Sequence, residues 1–172
     1  MTKDEVKGLI EKLETNFVMT SLSIGFIHNP EIKKLADSWM DPGSTATFGS
    51  RKDTSSEKKY DVHKIYTKFF GDKTNNIDYM TIPIMAMLSL IHDTIRDNGF
   101  EKQTSEFEFL RHIRNAASHG NRFTFKNGEP KRPASYNGFT IDASMNGVTD
   151  VIHNYINFGD ILNLINQIKD NL

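Results

Sequence analysis

The residues best suited to chemistry lie in one ten-residue stretch, Arg-His-Ile-Arg-Asn-Ala-Ala-Ser-His-Gly, at positions 111–120. Arginine can bind a phosphate through two parallel hydrogen bonds. Histidine is the side chain that most readily gains or loses a proton near neutral pH. Together they suit the binding of a phosphodiester and proton transfer to or from it. The polar positions of the stretch that suit this chemistry are Arg111, Arg114, Asn115, Ser118 and His119.

A helical wheel separates this stretch and the turn before it into two faces. At about 100° per residue, five apolar side chains share one arc, which we expect to be buried. They are Phe109, Leu110, Ile113, Ala116 and Ala117. The opposite arc is polar, with Phe107 as its only apolar member, so we expect its side chains to point away from the core. The polar arc holds Glu108, Arg111, His112, Arg114, Asn115, Ser118 and His119.

The polar arc has two interpretations. A solvated helix face is the commoner reason for such an arc, but a face that serves only solubility usually carries Glu and Lys, often in i,i+4 pairs. This arc instead carries Arg, Asn, Ser and His, which apart from Arg are poorer helix formers. The use of Arg and His favours a site that binds phosphate and transfers protons.

Size and composition restrict the class of protein. A chain of 172 residues with 37% apolar and 25% charged residues is typical of one soluble globular domain. The net charge of −1 means that any binding of nucleic acid must come from a local patch. The absence of cysteine excludes disulfides, thiolate chemistry and cysteine-based zinc sites.

Membrane and metal signals are missing from the sequence. The first residues are charged and lack the apolar segment of a signal peptide, and no apolar run approaches the roughly 18 residues of a membrane span. We therefore expect a cytoplasmic protein without a membrane partner. The scattered histidines have no spacing that predicts a metal site, and we expect His63 and His92 at the surface or at helix ends.

Apolar residues at helical spacing cover most of the chain. One segment, 78–97, is apolar nearly all round, which predicts a central helix or an interface helix. The predicted helices cover residues 3 to about 29, a short helix from Pro30, about 60–70, 78–97, 105–120 and 157–171.

Two segments do not fit a helix. Residues 41–59 are small and polar, which predicts a flexible loop. Between about 122 and 152, apolar and polar residues alternate around Asn-Gly pairs, which predicts a β-hairpin. The predicted fold class is therefore mainly α: an up-and-down helical bundle of four to six helices, with a small β-hairpin before the C-terminal helix. We expect a single domain over residues 1–172.

The segment Arg114-Asn-Ala-Ala-Ser-His119 resembles the Arg-x4–6-His motif of the HEPN superfamily. Members often carry Asn or Asp directly after the arginine, as Asn115 does here. The glycine after His119, and the hairpin followed by Gly159-Asp-Ile-Leu-Asn-Leu-Ile, are also similar to stand-alone bacterial members. The resemblance covers most of the chain as architecture and about six residues as a motif.

This resemblance implies a metal-independent endoribonuclease that needs no cofactor. The 2′-hydroxyl of the RNA attacks the adjacent phosphorus and leaves a 2′,3′-cyclic phosphate. His119 would act as general base or acid, Arg114 would stabilise charge on the phosphorane, and Asn115 would orient His119 or a phosphate oxygen. The expected catalytic residues are thus Arg114, Asn115 and His119. The expected substrate contacts are Arg111, Ser118 and Arg122.

The spacing of the motif has a consequence for assembly. Arg114 and His119 lie about 140° apart on an ideal helix, so one copy would hold them awkwardly around one phosphate. Catalytic HEPN proteins dimerise so that two motif helices line one cleft, and the resemblance therefore implies a homodimer with a composite active site. RNA is the expected partner, and a role as a toxin or anti-phage effector would add an antitoxin. Cationic residues that would extend the cleft are Arg122, Lys126, Lys131 and Arg132.

Two other functions fit the same residues. The first is a non-catalytic HEPN-like module that uses the cationic face to bind a nucleotide or a partner. The second is an interaction protein whose apolar helices form a dimer, with the motif a coincidence. Cleavage of RNA would distinguish the ribonuclease from both.

Overall fold

The structure, a computed structural model, describes residues 1–27, 29–49, 57–71 and 76–172. A 3-10 turn at Ala143–Met145 and an irregular π-type turn at Val151–Tyr155 precede the last helix. The mainly helical fold with a small hairpin before the C-terminal helix is confirmed. In chain order the helices and strands are α1 (Lys3–Ile27), α2 (Pro30–Trp39), β1 (Thr45–Gly49), β2 (Glu57–Asp61), α3 (Val62–Gly71), α4 (Asn76–Asp97), α5 (Ser105–Ser118), β3 (Ala134–Tyr136), β4 (Phe139–Ile141) and α6 (Phe158–Asp170).

Local signals set the bounds of these helices. Proline at the first position of α2 has no N–H to leave unpaired, and the Asn29 side chain accepts the Glu31 N–H at 2.9 Å. At the start of α6, Asn157 and Asp160 form a reciprocal capping box. The helices therefore begin where capping residues satisfy N–H groups that have no partner within the helix.

The chain forms two compact units, one of Met1–Val18 with Thr81–Leu172 and one of Met19–Met80. In the second unit, β1 and β2 pair antiparallel, and the Phe48 and Tyr60 rings meet edge-on at 5.7 Å. The sequence did not predict these strands: β1 lies within the proposed loop at 41–59, and β2 runs from the end of that loop into the first residues of the helix predicted at about 60–70. Both are almost entirely exposed, so no burial pattern reveals them. Residues 50–56 of the proposed loop lie outside the described residues.

The first unit contains the motif and an apolar core built around α5. The rings of Tyr136, Phe139 and Tyr155 surround Phe109 at centroid distances of 6.0, 6.3 and 6.4 Å. These contacts fix α5 against the hairpin of β3 and β4. Other fully buried side chains of this core include Ile10, Ile84, Leu88, Ile91, Ile95, Phe123, Ile161, Leu164 and Ile165.

Of the helices within the described ranges, none is both long and apolar enough to cross a lipid bilayer.

Candidate functional site

Helix α5 carries the motif and ends at it. The Thr104 side chain caps its N-terminus by accepting the Phe107 N–H at 3.4 Å. At the other end, Gly120 has a φ of 71°, which turns the chain back so that the Arg122 N–H bonds to the Ala116 carbonyl at 3.1 Å. His119 is therefore the residue at which the chain leaves the helix, and its side chain is exposed.

The predicted apolar arc of α5 is confirmed, because all five of its side chains are at most 4% exposed. Fewer side chains on the polar arc are exposed than the wheel predicted. Phe107 and His112 are also buried, and the Phe125 ring, from the segment after α5, lies 5.3 Å from the His112 ring.

A pocket of about 250 Å³ lies beside the end of α5. Asn115 and His119 form one part of its wall, and the chain segment after the helix forms the rest. The wall thus combines an imidazole and two ammonium groups with one carboxylate. The residues from the segment after α5 are Thr124, Lys126, Asn127, Glu129 and Lys131.

A tight turn positions the second part of the pocket wall. Asn127 and Gly128 both have positive φ, of 57° and 73°, and the Glu129 N–H bonds to the Lys126 carbonyl at 3.3 Å. These features define a type I′ turn, which Asn-Gly pairs favour because both residues tolerate the left-handed conformation. The turn brings Lys126 and Glu129, its first and last residues, into the wall of one pocket.

Arg114 is bound by a carboxylate from the preceding helix. Its Nη2 donates to both Asp93 oxygens, at 2.9 and 2.7 Å, and its Nη1 lies 3.4 Å from Asn115 Oδ1. Arg114 Nε is buried and has no hydrogen-bond partner within the described part of the chain. The motif arginine therefore contacts Asn115, which lines the pocket, but is itself not one of the lining residues.

Asp93 is the centre of a charged cluster on α4. Besides Arg114, it contacts Arg96 Nη1 at 3.2 Å and His92 Nδ1 at 3.3 Å. Burial raises the pKa of the Asp93 carboxyl, but the hydrogen bonds from Arg114 and His92 and the nearby arginine charges outweigh this and lower its pKa overall. The prediction that His92 lies at the surface or at a helix end was wrong, because it lies within α4 and its side chain is only 6% exposed.

Arg111 is held by two carboxylates. Glu108 binds it through two hydrogen bonds, Nε to Oε2 at 3.2 Å and Nη2 to Oε1 at 2.7 Å, and Glu129 Oε1 accepts from Nη1 at 3.1 Å. His112 Nε2 lies 3.0 Å from Nη2. The guanidinium is thus occupied by protein groups, and it connects α5 to the pocket wall through Glu129.

The remaining predicted contacts lie apart from the pocket. Ser118 Oγ is 3.3 Å from Ser89 Oγ on α4. Arg122 is exposed, its backbone pairs with Thr149, and neither Ser118 nor Arg122 is among the residues that line the pocket. Of the six predicted site residues, the structure therefore brings Asn115 and His119 into one pocket and attaches Arg114 and Arg111 to its edge.

Sequence reasoning missed two carboxylates, Asp93 and Glu129. The Asn-Gly pair at 127–128 is a recognisable turn signal that predicts a return of the chain, but no local pattern predicts that Glu129 faces His119's pocket. Asp93 lies 21 residues before Arg114, and only the packing of α4 against α5 joins them.

Comparison with protein-family models, with curated proteins and with solved structures gives no significant match. The candidate site is defined by its own residues and distances.

Two buried histidines make the stability of the fold depend on pH. Burial lowers the pKa of His92, more than the hydrogen bond to Asp93 raises it. Burial also lowers the pKa of His112, and the neighbouring Arg111 charge adds to the shift. Each histidine therefore binds fewer protons in the folded state than in the unfolded state below the ordinary histidine pKa of about 6.5.

We expect the free energy of unfolding to be highest above about pH 7 and to decrease as the pH is lowered towards 5. Urea denaturation at about pH 7.5 and about pH 5.5 measures this difference. His112→Gln removes one titrating group and should reduce the difference. Equal stability of the wild-type protein at the two pH values would contradict the prediction. The lowered pKa of Asp93 acts in the same direction at more acidic pH, where its carboxylate is protonated.

Proposed function

We propose that the protein is a metal-independent endoribonuclease of HEPN type. The observation that carries the proposal is the pocket whose wall contains Asn115 and His119 of the motif together with Lys126 and Lys131. Such a wall suits a phosphodiester, because it supplies a proton-transfer group and positive charges that hold the anion.

In the proposed reaction, the RNA 2′-hydroxyl attacks the adjacent phosphorus and the bond to the 5′-oxygen breaks. His119 transfers a proton as general base or general acid, and Asn115 orients it or a phosphate oxygen. Lys126 and Lys131 bind the phosphate. Because the nucleophile is part of the substrate, the reaction does not require a metal-bound water.

Arg114 stabilises the charge that develops on the phosphorane. Asp93 binds only its Nη2, whereas Nη1 is directed to Asn115 in the pocket wall. The pair with Asp93 holds the guanidinium in one orientation, which lowers the entropy lost when a substrate binds. This contact supports a role for Arg114 at the edge of the site.

The proposal includes a homodimer in which the two motif helices line one cleft, with RNA as the substrate. Ile82 and Leu90 on α4 are 65% and 47% exposed, which leaves apolar surface for a subunit contact. A cytoplasmic toxin or anti-phage effector, silenced by an antitoxin, is the biological role that we propose for such a ribonuclease.

A second candidate is a non-catalytic module that binds a nucleotide. The occupation of Arg111 by Glu108 and Glu129 favours it, because a guanidinium with two carboxylate partners is not free to contact a phosphate. Lys126 and Lys131 would then bind the anion without cleavage.

Incubation with single-stranded RNA in EDTA tests the proposed function. We expect the wild-type protein to produce fragments that end in a 2′,3′-cyclic phosphate and a 5′-hydroxyl. RNA with a 2′-deoxy nucleotide at the cleaved position should resist, because it lacks the nucleophile. Binding of RNA without cleavage across varied sequences would favour the non-catalytic module instead.

A further inference from the structure

We infer that Glu129 is a further catalytic residue of the pocket, the general base that accepts the proton of the RNA 2′-hydroxyl, which leaves His119 as the general acid. The inference rests on the proposed ribonuclease function and assigns a second proton-transfer group to the same site.

The chemistry requires two proton transfers at two places. The attacking 2′-oxygen loses a proton, and the leaving 5′-oxygen gains one. These oxygens lie on opposite sides of the phosphorus in an in-line displacement. One imidazole cannot contact both at once, so a second group from another wall of the pocket suits the reaction. His119 comes from the end of α5, whereas Glu129 comes from the turn after it.

One oxygen of the Glu129 carboxylate is held by a hydrogen bond, and the other is open to a substrate. Oε1 accepts a hydrogen bond from Arg111 Nη1 at 3.1 Å, and the side chain is 26% exposed. The backbone N–H closes the turn by bonding to the Lys126 carbonyl. Within the described part of the chain, Oε2 has no hydrogen-bond partner. Glu129 thus offers one oxygen to a substrate while the other is anchored.

Arg111 accounts for this anchoring. Glu108 already binds two of its nitrogens, which fixes the guanidinium on α5. The remaining contact to Glu129 is charge-assisted and fixes the position of the carboxylate. Arg111 is therefore a positioning residue, which acts on the reaction through Glu129.

Glu129 Oε2 takes the 2′-hydroxyl proton as the bond from the 2′-oxygen to phosphorus forms. The bond from phosphorus to the 5′-oxygen breaks, and its electron pair goes to that oxygen, which takes a proton from the His119 imidazolium. Lys126 and Lys131 stabilise the phosphorane. The products are a 2′,3′-cyclic phosphate and a 5′-hydroxyl.

Two substrates with different leaving groups distinguish the role of general base from that of general acid. One is single-stranded RNA, and the other is uridine 3′-(4-nitrophenyl phosphate), whose leaving group departs without a proton. We compare wild type, Glu129→Gln and His119→Ala in EDTA. Glu106→Gln is the matched control, because Glu106 lies on the first turn of α5 and does not line the pocket. Glutamine keeps an oxygen for Arg111, so the wall is preserved.

We expect Glu129→Gln to lower kcat on both substrates by about 100-fold or more, with KM changed only a few-fold. His119→Ala should be impaired on RNA but close to wild type on the nitrophenyl substrate. Glu106→Gln should match wild type on both.

The outcomes that overturn the inference are distinct. A wild-type kcat of Glu129→Gln on both substrates, with His119→Ala inactive on RNA, would overturn the role of Glu129 alone. Equal impairment of His119→Ala on both substrates would make His119 the base and overturn the assignment. A wild-type protein that cleaves neither substrate would overturn the proposed function, and this inference with it.

Discussion

His119→Ala is expected to reduce the cleavage of RNA by about 100- to 10,000-fold, the range that general acid–base catalysis contributes. The imidazole lines the pocket at the end of α5, and alanine leaves no group there that transfers a proton. Because the side chain is exposed, its removal opens no cavity in the core, and the fold should be retained. The loss should appear in kcat, measured on RNA in EDTA.

His63→Ala is the matched control for this variant. His63 lies in the first turn of α3, in the other compact unit, and it is half-buried at most. Its replacement should leave RNA cleavage unchanged. Wild-type cleavage by His119→Ala, or an equal loss in the His63 variant, would contradict a role for the motif histidine. Circular dichroism and urea denaturation establish that both variants are folded.

Arg114→Ala is expected to have two effects. Cleavage of RNA should fall by about 100-fold or more, because a preorganised charge next to the pocket is lost. The free energy of unfolding should also fall, by about 1–2 kcal/mol, because Asp93 loses its two shortest hydrogen bonds. This decrease is smaller than for a fully buried ion pair, because the Asp93 side chain is 32% exposed. Urea denaturation and kcat measure the two effects separately.

Two further variants separate charge from geometry at Arg114. Arg114→Lys keeps the charge but cannot contact Asp93 and Asn115 from one planar group, so it should recover part of the stability and little of the activity. Arg96→Ala removes the more exposed arginine from Asp93 and should lower the free energy of unfolding much less than Arg114→Ala does. If Arg96→Ala and Arg114→Ala lowered the free energy of unfolding by similar amounts, Arg114 would contribute to stability only by neutralising the Asp93 charge, and its hydrogen-bond geometry would not matter.

The helices of this protein could be predicted because their signals are local. Pro30 starts α2, the Thr104 cap starts α5, and Gly120 follows its end. The spacing of apolar residues also showed which side of α5 is buried, since residues three and four apart share one face of a helix. The strands β1 and β2 were missed because pairing without burial leaves no alternation in the sequence.

The environment of the polar arc could not be predicted in the same way. His112 was expected on the polar arc and His92 at the surface or at a helix end, yet both side chains are buried. The partner of Arg114 is 21 residues away on α4, and the partner of Arg111 on the pocket wall is 18 residues away. Such pairs depend on how elements pack, and helical periodicity carries no information about that.

By itself, the sequence determined that α5 has an apolar side and a polar side, and that Arg114, Asn115 and His119 lie at its C-terminal end. Only the tertiary structure decided what each polar group meets. It brings His119 and Asn115 into a pocket with Lys126, Lys131 and Glu129, while Asp93 takes the arginine. The physical reason is range: periodicity and capping act over one or two helical turns, whereas the partners of a charge are selected by the packing of segments distant in the chain.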